Sequence, residues 1–99
     1  MDAISLVLAA FTLVPIFIAI VKLTLDRLKD WFRQKNIQAT KSEVGFIYQR
    51  KMVEGNVKVL QGVLNKAADA ITSTQGYHAE ELEDKVEKTL AGRELVLLS

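Results

Sequence analysis

The chain has 99 residues, 49% of them hydrophobic and 25% charged, with no cysteine and one histidine, His78. That length holds one small domain or one anchored segment with a modest appendage, and the lack of thiols excludes disulfide scaffolds, thiolate metal sites and cysteine nucleophiles. A formal charge of +1 is too small to argue for nucleic acid, but the charge is graded: residues 22–41 carry a net +4 and residues 76–99 a net −3.

Ala3 to Val21 forms nineteen consecutive uncharged residues in which only Ser5 and Thr12 are polar. A helix of that length spans about 28 Å, close to the hydrocarbon thickness of a bilayer, so the run predicts one transmembrane helix. Helix is expected there despite the many Val and Ile residues, because lipid cannot hydrogen-bond an open backbone. A cleaved signal peptide fits worse: no basic side chain precedes the run and no convincing small-x-small cleavage site lies between the run and Lys22. The soluble alternative is an all-round apolar helix buried in a bundle or filament. Pro15 removes a backbone donor in mid-run and predicts a local bend. Ser5, Ala9, Thr12 and Ala19 fall on roughly one helical face, where a second helix can approach closely.

Lys22, Arg27, Lys29, Arg33, Lys35 and Lys41 follow within the window of the positive-inside bias. The expected topology is therefore single-pass, with the N-terminus outside and residues 22–99 cytoplasmic or in the organelle equivalent. Leu25, Leu28 and Phe32 keep the helical period, which extends the first helix to about Gln34 as an amphipathic juxtamembrane segment. In this reading Lys22, Arg27, Lys29, Trp31, Phe32 and Arg33 form a basic, aromatic collar against anionic headgroups. Asp26 lies one turn from both Lys22 and Lys29 and can pair with them on the helix surface. Residues 36–43 lose the pattern and read as a linker, dividing the chain into an anchor at 1–35 and an association region at 44–99.

In that region Val53, Val57, Leu60, Leu64, Ala67 and Ile71 recur with gaps of 4, 3, 4, 3 and 4, the repeat of a coiled-coil seam. Val53, Val57, Leu60, Leu64 and Ile71 are the expected association residues, and Gly55 and Gly62 fall opposite them. Ser73 to Gly76 breaks the pattern, and Leu82, Val86 and Leu90 then mark a second helix ending near Ala91-Gly92. The apolar tail Leu95 to Leu98 is too short to span a bilayer and is expected to dock on the central helix, on a neighbouring subunit, at a membrane interface or as a short added strand. The predicted fold class is all-α: one transmembrane helix, its juxtamembrane continuation, and a cytoplasmic helical hairpin or coiled-coil-like segment.

His78 with Glu80, Glu81 and Asp84 lacks a second histidine or a thiolate and reads as a solvated acidic face rather than a metal site. Phosphate-binding glycine loops, HExxH and GxSxG are missing. The expectation is a protein without catalysis, cofactor, metal or small-molecule substrate, whose partners are the bilayer and itself or other membrane-complex subunits. Headgroup contact is favoured over nucleic acid for the basic stretch because of its place beside the span. The expected role is that of a small structural or assembly subunit; a pore-forming effector and a filament or virion subunit are the alternatives. In layout, one N-terminal span followed by a charged helical tail, the chain resembles small phage membrane proteins such as single-span holins. That likeness covers architecture and carries no diagnostic motif.

Overall fold

The apolar run from Ala3 to Val21 does not form one helix. In the computed structural model, which describes residues 2–13, 16–35 and 42–98, it divides into helix α1 (Ala3–Leu13) and strand β1 (Phe17–Leu23). The chain continues through helix α2 (Leu25–Gln34), strands β2 (Glu43–Lys51), β3 (Val57–Asn65) and β4 (Ala70–Leu82), helix α3 (Asp84–Leu90) and strand β5 (Leu95–Leu98). No described helix is long and apolar enough to cross a membrane. The transmembrane helix, the single-pass topology with an outside N-terminus and the all-α class are all overturned by this mixed α/β architecture. The bend expected at Pro15 and most of the expected linker, residues 36–41, lie outside the described residues.

The five strands form one sheet in the order β1-β4-β3-β2-β5. Only β1 and β4 run parallel; the β4-β3, β3-β2 and β2-β5 pairs are antiparallel. Helix α1 covers one face, where Val7, Leu6 and Phe11 pack on Val44, Phe46, Tyr48, Leu60 and Leu64. Helices α2 and α3 cover the other, where Leu28, Val86 and Leu90 pack on Ile47, Val57, Val59, Tyr77 and Ala79. Both apolar halves of the sheet are thereby removed from water, the arrangement a sheet with two apolar faces requires.

The coiled-coil repeat is an accident of this layering. Val57 and Leu60 lie on opposite faces of β3 rather than along one helix. Leu64 ends the same strand and Ile71 belongs to β4, the two being paired across a bulge. Val53 stands fully exposed in the turn between β2 and β3. That turn also holds Gly55, at φ +95°, a left-handed conformation that favours glycine. Gly62 answers to a different constraint: a Cβ there would lie 2.6 Å from the Ser73 carbonyl oxygen and 2.7 Å from the Phe46 ring.

Local signals account for the element ends. The Asp2 carboxylate accepts a hydrogen bond from the Ser5 amide at 2.8 Å, capping α1, and these Ser5 contacts hold its carboxyl below the usual range. Thr24 caps α2 by accepting from the Arg27 amide at 3.2 Å. The stop expected at Ala91-Gly92 is where α3 ends, with both residues left-handed at φ +51° and +74°. The tail Leu95 to Leu98 docks as a strand on β2, opposite Gly45 to Tyr48.

Candidate functional site

The sheet ends in β1 on one side and β5 on the other, and among the described residues no strand pairs with the outer edge of either. Strand β5 has four residues, and short edges are poor templates for further pairing. Strand β1 has seven, Phe-Ile-Ala-Ile-Val-Lys-Leu, and its only charge is Lys22. Along this edge Ile16 is 70% exposed, Ile18 38% and Val21 66%, and Leu13 at the end of α1 is 78% exposed. Exposed apolar side chains on a strand with an open outer edge are a feature that most proteins suppress with charges, proline or bulges.

The edge is held rigid at its ends and left open in the middle. Phe17 lies across Gly76 of β4, where a Cβ would come within 2.7 Å of the ring. Its other contacts are Phe11 of α1, edge-on at 5.4 Å, and the Lys58 ammonium, 5.0 Å from the ring centre. At the far end Leu23 is fully buried, and its carbonyl accepts from the Glu83 amide at 2.9 Å. The Glu83 carboxylate in turn accepts from the Leu25 amide at 3.1 Å, placing a negative charge at the start of α2.

A shallow groove flanks β1 on each side. One, of about 360 Å³, is lined by Ala19, Val21, Asn56, His78 and Glu80. The Nε2 of His78 is buried and makes no hydrogen bond. The second, of about 450 Å³, is lined by Ile18, Asp26, Arg27, Asp30, Trp31 and Tyr77. A larger depression of about 610 Å³ lies elsewhere, between β2, α3 and the segment leading into β5, with Arg50, Lys51, Glu87 and Glu94 around it. Its charges are mixed in sign. Among the described residues no group of three or more His, Asp or Glu is placed to hold a metal ion.

No protein family, curated protein or solved structure matches this chain.

Beneath the second groove runs a buried polar chain. The Tyr77 hydroxyl donates to Gln61 Oε1, and Gln61 Nε2 donates to the Leu28 carbonyl at 3.0 Å, fastening α2 to the middle of the sheet. Burial pushes the Tyr77 phenol above its ordinary 10.0, opposed by the Arg27 guanidinium, which sits 5.7 Å from the ring centre. The folded state thus favours the neutral phenol. That contribution is complete below the unfolded pKa of about 10 and is lost as pH rises through the higher folded value. The urea midpoint should accordingly fall above pH 10 and fall less steeply in Tyr77→Phe; parallel slopes would show that this phenol does not carry the alkaline loss.

The residues expected to form a collar are distributed instead. Lys22 ends the exposed part of β1. Arg27 crosses Tyr77, Arg33 pairs with Asp30 at 2.7 Å, and Lys29 points to solvent. Phe32 packs inward, its ring 2.9 Å from where a Gly45 Cβ would stand, with Trp31 edge-on to it at 5.3 Å. Of the expected seam, Leu60 and Leu64 come together under α1, Val57 faces the other layer and Val53 is remote from all of them. Ala19 is on β1, so it shares no helical face with Ser5, Ala9 and Thr12. Sequence reasoning missed Ile16, Ile18 and Val21 as a strand edge. The available signal was the density of β-branched residues immediately after Pro15.

Proposed function

We propose that the protein is a non-catalytic interaction domain that accepts an extended strand along its open β1 edge. The observation that carries this is a strand whose outer edge no described residue pairs with, bearing exposed Ile18 and Val21, preceded by exposed Ile16 and with a groove on either side. An added strand satisfies the open backbone row and sends alternate side chains to the two faces, so the backbone supplies affinity and the grooves supply selection. The anchoring at Phe17 and Leu23 supports the reading, because an ordered edge has little conformational freedom left to lose on binding.

The test is titration of a fluorescent peptide copying residues 16–23, with a solubilising tag, into the intact chain. Saturable binding is expected, weakened about tenfold or more by Val21→Lys or Ile18→Lys, which set a charge on the apolar edge. Far-UV circular dichroism should show both variants folded. Equal binding by wild type and variants, or none by wild type, would refute the proposal.

A further inference from the structure

We infer that the strand accepted at this edge is β1 of a second copy, paired antiparallel about a two-fold axis through Ile20. The inference rests on the strand-accepting reading above and adds the identity and register of the partner. An antiparallel pair centred on Ile20 aligns the whole of Phe17–Leu23 with itself, and directly opposed residues share a face of the combined sheet. Val21, largely exposed in the single chain, then stands opposite the small Ala19 of the other copy, in the groove bounded by Asn56 and His78. Large meets small twice, as an isologous contact requires.

Charge selects the same arrangement. Lys22 and Asp26 are both exposed, and neither has an ion-pair partner among the described residues. In the antiparallel register Lys22 of each copy lies beside Ile18 of the other, and Ile18 shares its groove with Asp26 and Asp30. A parallel arrangement would set the two lysines side by side. One exposed ion pair adds little affinity, but reversing either charge sets like charges together at both symmetry-related contacts, so these groups fix orientation and their reversal weakens the pairing. The pairing is also self-limiting: it consumes both β1 edges and leaves a continuous sheet ending in the four-residue β5 on either side.

Sedimentation equilibrium of the intact chain in low salt should show a reversible species of twice the 11.1 kDa chain mass. Lys22→Asp and Asp26→Lys should each weaken it about tenfold, and the double variant should restore it to within about threefold of wild type. A chain monomeric to about millimolar concentration that still binds the 16–23 peptide would overturn the second copy while leaving the strand-accepting reading in place. A monomer that ignores the peptide would end both. A dimer indifferent to Val21→Lys and to the charge exchange would overturn the inference by showing that another surface associates. So would a monomer that binds only vesicles of anionic phospholipid.

Discussion

Leu60→Asp is expected to unfold the protein or leave it close to its unfolding midpoint at room temperature. Leu60 is fully buried in the middle of β3, beneath α1, among Val7, Val44, Phe46, Tyr48 and Leu64. The cations on that face are already engaged: Arg50 donates to the Tyr48 hydroxyl at 3.0 Å and lies over Phe11, and Lys58 lies over Phe17. An aspartate at this position has no counter-charge and must either ionise in an apolar layer or fold protonated. The cost is about 4 kcal/mol or more, against a total of about 5–15 kcal/mol for a domain. For a chain of this size that corresponds to a fall in Tm of about 20 °C. Thermal and urea unfolding followed by circular dichroism measure it, and a loss below about 1 kcal/mol would show that α1 does not cover this position.

Gly62→Val should destabilise nearly as much, by a steric route. The new Cβ would stand 2.6 Å from the Ser73 backbone oxygen of β4 and 2.7 Å from two atoms of the Phe46 ring. The ring belongs to a fully buried side chain and the oxygen to a neighbouring strand at the β-bulge, so neither can step aside without disturbing the sheet. Overpacking of this kind costs about 1–3 kcal/mol or more, and about 3 kcal/mol is expected here. Gly55→Ala is the informative comparison. Nothing lies within 4 Å of a Cβ there, so only the positive φ is penalised and the loss should stay near 1 kcal/mol. Similar losses at both positions would contradict the close approach of β4 and Phe46 to Gly62.

The contrast between these glycines shows why one repeat read as a helix. A strand buried on a single face alternates apolar and polar residues, whereas β3 is covered by α1 on one side and by α2 and α3 on the other. Its apolar residues therefore occupy both faces, Val57 and Val59 on one and Leu60 and Leu64 on the other, and a 3.5-residue template finds matches at Val57, Leu60 and Leu64 without any helix being present. Gln61 falls beside that apparent seam, where a helix would leave it in water, but the strand buries it. Its amide is fully enclosed and bonded to Tyr77 and Leu28, a role that needs a strand beneath a packed helix.

Some features were decided locally and so were readable from the residues alone. The amphipathic stretch ending at Gln34 and the helix stop at Ala91-Gly92 depend on side chains and backbone within a few positions. The opening run announced that it must leave water; its apolar content said nothing of whether lipid or protein would cover it. Only the tertiary structure split the run into a helix laid over the sheet, with Val7 buried beneath it, and a strand at the margin that keeps Val21 exposed. Burial is a property of composition, but the period that burial imposes depends on how many sides are covered and by what, and that is settled by partners distant in the chain.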